Sequence, residues 1–259
     1  MISLLRAFAR ESFFEVVARY KGTRISEIEF RDQWMLRIKS RGLSFCGGWY
    51  SPPPNGCAVL FDNGNDGRRV SFDTLRSKNY WPSNKKIEWE DAIIFGYVSP
   101  VDLKSGMMGD CSMFQYFGEN PIIKEHIQHC KEANRQILSK IEVEMTSLEL
   151  YEMAMDIIDK SNLYIYGHSQ TDGDDLNLGH SFSSIISKSF APLQDLKKND
   201  IDFLSQSRRF INSVDDWQLS EVPAFTFEPR LFRKNELHLP LVSLHTLVSI
   251  KNGKLKVQT

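Results

Sequence analysis

At 259 residues, with 41% hydrophobic and 25% charged side chains, the chain can bury a sizeable core and has the make-up of an ordinary globular protein. Its 32 basic residues balance 33 acidic ones, so no overall positive field draws it to nucleic acid or to an anionic membrane. No apolar run approaches the roughly 18 residues needed to span a bilayer, and the opening stretch lacks a secretory h-region with a small-residue cleavage site.

In chain order, Leu4, Leu5, Phe8, Phe13, Phe14 and Val17 recur at helical spacing and predict a packed first helix. Arg6 and Arg10 on the same pattern would otherwise suit a transit peptide. Ser26 and Glu29 stand at capping-box spacing before Phe30, Trp34 and Ile38, which predicts a second helix over about Glu27–Arg41, ended by Gly42. The prolines and glycines of GGWYSPPPNG, residues 47–56, remove donors and open unusual backbone angles, so that stretch reads as a shaped loop. CAVLF, RRVSF, AIIFGYVS and DCSMFQYF then alternate with turn signals such as DNGNDG and read as antiparallel strands.

Asn120 before Pro121 opens a third helix to about Lys140, its face marked by Ile123, Ile127, Cys130, Ile137 and Ile141. Thr146 and Glu149 cap a fourth, through about Lys160. Asp172–Asp175 and Lys197–Asp202 read as loops, PAFTFEP and LHTLVSI as strands. This order predicts an α+β protein with two similar halves, a curved, mostly antiparallel sheet packed against two helix pairs. No linker divides it, so residues 1–259 read as one domain, with 1–21 as a helix leading in. Cys46, Cys57, Cys111 and Cys130 show no CxxC spacing, which argues against a disulfide framework or a zinc knuckle and fits a reducing cytoplasm.

A resemblance rests on patterns taken in order. The hairpin from Ile93 to Gly118 places Gly106 four residues before Asp110 and continues as SMFQYFG. A helix pair follows, ending in VEMTSLELYEMAMDII. LNLGHSF, residues 176–182, holds a glycine–histidine pair, and FTFEP, residues 225–229, is joined to HTLVSIKNGKL, residues 245–255. Over about Gly22–Lys254 the chain thereby resembles the pita-bread family of methionine aminopeptidase, prolidase and creatinase. The resemblance implies the pita-bread fold, a curved antiparallel sheet with two helix pairs on its outer face.

It also implies a site in which two aspartates, a histidine and two glutamates bind two divalent metals. Carried over residue by residue, Asp110 matches the second aspartate, His180 the histidine and Glu228 the first glutamate. The first aspartate would stand eleven residues before Asp110, where the chain has Ser99, and the last glutamate just before HTLVSI, where it has Leu244. Two carboxylates are thus missing where two cations would repel each other. The remaining set suits one Fe, Mn or Zn ion with open positions, or a metal-free site like that of creatinase. Both alternatives stand.

The family's further histidines have no match, residues 181–188 reading SFSSIISK, so a departing amine lacks its expected proton donor. His168, Ser99 and Tyr50 are the candidate catalytic residues, with His238 and His245 as others the fold could bring in. Each candidate also has an ordinary explanation. Asp110 suits a turn, His180 a hydrogen-bonded core position, and Glu228 before Pro229 the end of a strand. His168, within YGHSQTDGDD, competes with His180 as the family histidine, while Asp172, Asp174 and Asp175 lack the order of a calcium loop. Arg208 and Arg209 read as surface charge, and Trp49, Tyr50 and Pro52–Pro54 either wall a pocket or cover a sheet edge.

The sequence leads to a divergent enzyme acting on a small amide, amino-acid or other C–N substrate, in the cytoplasm, with a homodimer left open. Its rival is a catalytically inactive binding or scaffold protein on the same fold.

Overall fold

A computed structural model describes residues 2–45, 56–64, 67–71, 75, 77–102, 104–105, 107–166, 176–182, 208–236 and 238–258. They fall into two units, one running to Gly118 and the other taking up at Glu119.

In the first unit, helix α1 (Ile2–Tyr20) turns Leu5, Ala9, Phe13, Val16 and Val17 inward at the spacing of one helix face. Leu4 and Phe14 flank that row and are 52% and 38% exposed, so they do not belong to the face that spacing alone assigned them. Arg6 turns inward instead and donates to the backbone carbonyl of Asp110. Helix α2 (Glu27–Ser40) begins with the anticipated capping box, Ser26 Oγ accepting from Glu29 N at 3.2 Å and Glu29 Oε2 from Ser26 N at 2.8 Å. Gly42, at φ +80°, takes the left-handed conformation just past its end.

Strands β1 (Cys57–Asn63), β2 (Ala92–Val98), β3 (Val101–Asp102), β4 (Met107–Met108) and β5 (Cys111–Tyr116) complete the unit. An antiparallel sheet runs in the order β1-β2-β5, and β3 pairs with β4. Ala92, Ile94 and Val98 share a core with Phe13, Phe30 and Trp34 of the two helices, whereas Ile93, Phe95 and Tyr97 point to the other face. Gly96 lets the helices approach, since a Cβ there would lie 3.1 Å from Phe13 and 3.2 Å from Trp34.

The described residues of RRVSF do not form the anticipated strand. Residues 68–71 turn, because the Asp62 carboxylate accepts from Arg69 N and from Val70 N at 3.3 Å, diverting those donors from any ladder. Arg69 reaches the fully buried Glu27, Nη2 to Oε2 at 2.7 Å and Nε to Oε1 at 3.2 Å.

In the second unit, helix α3 (Pro121–Leu138) starts where Asn120 Oδ1 accepts from Ile122 N at 3.0 Å. It buries Ile123, Ile127, Cys130 and Ile137 as anticipated and His126, Ala133 and Asn134 besides; Ile141 is buried beyond its end. Helix α4 (Ser147–Lys160) has the Thr146–Glu149 capping box. The strands are β6 (Leu163–Ile165), β7 (Ala224–Phe227), β8 (Arg230–Arg233), β9 (Val242–Ser243), β10 (Thr246–Lys251) and β11 (Lys254–Gln258). They form antiparallel sheets in the orders β6-β8-β9 and β11-β10-β7, with α4 against β6 and α3 against β8. Asn252 at φ +52° and Gly253 at φ +68° make the two-residue turn between β10 and β11.

Cys57, Cys111 and Cys130 are buried free thiols, and burial pushes all three up in pKa, Cys130 to about 12. Among the described residues, no helix is long and apolar enough to cross a membrane.

Candidate active site

At one end of the first unit's sheet, the register Val98↔Cys111 continues through Gly109 N donating to Pro100 O at 2.7 Å, so Ser99 stands opposite Asp110. Alternation along the strand puts this pair on the face away from α1 and α2, beside Tyr97. Ser99 is fully buried, its hydroxyl 2.6 Å from that of Tyr97. Asp110 is 1% exposed, not the solvated turn residue its sequence context allows, and Arg6 holds its carbonyl. A carboxylate so buried is costly to ionise without polar or cationic company.

The second unit builds its counterpart at the end of the β7–β10 pair. The register Thr246↔Phe227 continues through Leu244 N donating to Pro229 O at 3.0 Å, which sets His245 opposite Glu228. The segment LNLGHSF lies between β7 and residues 209–211. Leu178 N donates to Ile211 O at 2.8 Å and Ser181 N to Arg209 O at 2.8 Å, while Thr226 N donates to His180 O at 2.8 Å and Glu228 N to Leu178 O at 2.6 Å. Gly179, at φ +148°, is required for this seam, because a Cβ would lie 2.0 Å from the Thr226 carbonyl oxygen.

The seam aims His180 at Glu228. Nδ1 of His180 is 3.0 Å from the Ser181 carbonyl, which can only accept, so that nitrogen carries the proton. In the neutral ring, Nε2 then presents a lone pair toward Glu228 Oε1, 3.3 Å away. The Thr226 hydroxyl donates to that same oxygen, and His245 Nε2 lies 3.6 Å from it.

No protein-family model matches the chain, and no curated protein does. Solved structures do. An X-Pro aminopeptidase from Thermotoga maritima superposes with a TM-score of 0.64 at 15% identity, over 99% of this chain and 59% of that one. A prolidase from Pyrococcus horikoshii gives 0.63 at 14% identity, over 99% and 60%. A methionine aminopeptidase from Rickettsia prowazekii gives 0.64 at 12% identity, over 98% and 94%. The chain has the pita-bread fold. It spans only 59% and 60% of the X-Pro aminopeptidase and the prolidase.

Each unit places its own sequence candidates. Glu228 and His180 meet in the second unit, and Asp110 and Ser99 stand opposite each other in the first. Tyr50 and His168 lie outside the described residues, as do Trp49, Gly106, Asp172, Asp174 and Asp175. His238 is exposed, while His245 reaches Glu228. Arg208 is 5% exposed rather than surface charge; Arg209, half exposed, pairs with Glu221. Tyr97, Thr226 and Arg6 were not singled out as site residues, because only cross-strand register and helix packing bring them there.

Proposed function

We propose that the chain is a divergent pita-bread hydrolase that acts on a small amide, amino-acid or other C–N substrate, with one divalent metal held by Asp110, His180 and Glu228. The orientation of His180 carries this reading. Two acceptors facing each other at 3.3 Å repel unless a cation or a proton mediates between them, and metal-binding histidines commonly donate their other N–H to a backbone carbonyl, as Nδ1 does to Ser181. One imidazole and two carboxylates suit Zn, Mn or Fe and balance the charge of a single divalent ion.

A second ion does not fit the donors present. Ser99 replaces a carboxylate with a neutral hydroxyl already engaged by Tyr97, and Leu244 offers no donor. When bound, a single ion supplies Lewis-acid polarisation of a substrate carbonyl. The chain's own groups do the rest. Thr226 and the Ser181 carbonyl fix the orientations of Glu228 and His180, and Asp110, buried on the sheet face that α1 and α2 do not cover, adds the second negative charge.

With the dinuclear donor set incomplete, the reading departs from the peptidases it superposes on and favours a smaller substrate in a reducing, cytoplasmic compartment. Elemental analysis of purified, metal-reconstituted protein tests it. About one equivalent of Fe, Mn or Zn in the wild type, lost in Asp110→Ala and in Glu228→Gln, is expected. No retained metal in the wild type would overturn it in favour of a metal-free site.

A further inference from the structure

We infer that His245 is a positioning residue that holds the Glu228 carboxylate; this rests on the single-metal reading above. The register sets His245 directly across from Glu228 on the neighbouring strand, so its reach follows from the sheet itself. Its side chain is 1% exposed and that of Glu228 29%, so the imidazole is the more deeply buried of the two. Nε2 lies 3.6 Å from Oε1, the oxygen that the Thr226 hydroxyl also contacts.

His245 stands outside the candidate ligand set. Among the described residues, His180, Glu228 and His245 do not form a set whose ligand atoms all lie within 4.8 Å of one another. A glutamate's terminal torsion is broad and roughly two-fold, so an unsupported carboxylate samples many orientations. Contacts on one oxygen from two side chains narrow that range and fix where the carboxylate points. In a site with two cations, the second cation would do this by charge; here a buried imidazole on β10's leading edge does it. Partners that orient a ligand in this way are typically worth about 10–100-fold in metal affinity.

The test uses cobalt(II) as the probe, titrated into metal-free wild type and into His245→Leu, His245→Asn and His245→Gln, with the visible absorption spectrum and the thermal midpoint of the metal-free protein recorded for each. His245→Leu and His245→Asn, the latter polar but too short to reach Oε1, should weaken cobalt binding about 10–100-fold and alter the spectrum. His245→Gln, whose amide N–H can reach, should restore most of both. If His245→Leu fails to fold, His245→Asn carries the comparison. Wild-type affinity and spectrum in His245→Asn would overturn the inference while leaving the single-metal reading intact. Equal weakening by all three variants with an unchanged spectrum would also overturn it, marking His245 as packing alone. Wild type that binds no cobalt would overturn the metal reading itself, and the inference with it.

Discussion

Replacing Gly179 by alanine should unlatch the site from β7. The new Cβ would lie 2.0 Å from the Thr226 carbonyl oxygen and 2.8 Å from its carbon, both backbone atoms that cannot rotate away. Real Cβ contacts stay beyond 3.0 Å, so the strands must part by at least about 1 Å. That separation breaks or stretches the bonds from Thr226 N to His180 O at 2.8 Å and from His180 N to Thr226 Oγ1 at 3.3 Å. Strain at a positive φ costs about 1–3 kcal/mol and each hydrogen bond about 0.5–1.5, giving a loss of roughly 2–6 kcal/mol. The control is Gly253→Ala, in the same unit at φ +68° with no atom within 4 Å, which feels only the backbone strain. Urea unfolding of both variants gives the difference. Equal losses for the two would refute the argument that backbone contact at Gly179 locks His180 against Glu228.

Glu27→Ala should destabilise the first unit by about 3–5 kcal/mol by removing the buried carboxylate that accepts from Arg69, Phe61 N and Ser83, whereas Arg24→Ala, which breaks a pair 73% and 72% exposed, should change stability by less than about 1 kcal/mol; urea midpoints compare them. Burial holds the pKa of His126 below its ordinary 6.5, even though Nε2 lies 3.0 Å from the Pro240 carbonyl. The unfolded chain therefore binds the proton more readily, so stability should hold above pH 6.5 and fall as pH drops from 6.5 toward the depressed value; His126→Phe should remove that slope in unfolding curves between about pH 7.5 and about pH 5. Cleavage of Met-Ala and Xaa-Pro peptides should be negligible with added cobalt or manganese. Ser99→Asp with Leu244→Glu should not restore it, since residues 181–188, SFSSIISK, still lack the family's further histidines; turnover of either peptide would count against the assignment.

What the sequence makes legible here is what is local. Both capping boxes and the Asn120–Pro121 start are fixed within four residues of chain, and the structure forms all three. RRVSF misleads because its fate depends on residues outside it: Asp62, in the preceding strand, captures the backbone of Arg69, and Glu27, far back in the sequence, captures its side chain. β6 and β8, at three and four residues, are too short for alternation to mark, and they exist because each pairs with the other. The same holds for the site. Asp110, His180 and Glu228 stand out through motif order, but the tautomer of His180 depends on the Ser181 carbonyl. The contact of His245 with Glu228 depends on a strand register that spacing does not display.

The central claim is that one metal, and not two or none, is held by Asp110, His180 and Glu228. A crystal structure of protein reconstituted with excess manganese or zinc, with anomalous data collected at the metal's absorption edge, addresses it most directly. The account predicts a single anomalous peak within about 2.0–2.2 Å of His180 Nε2 and of one carboxylate oxygen each from Asp110 and Glu228. Two peaks, or no peak with water or substrate lying between the three side chains, would contradict it.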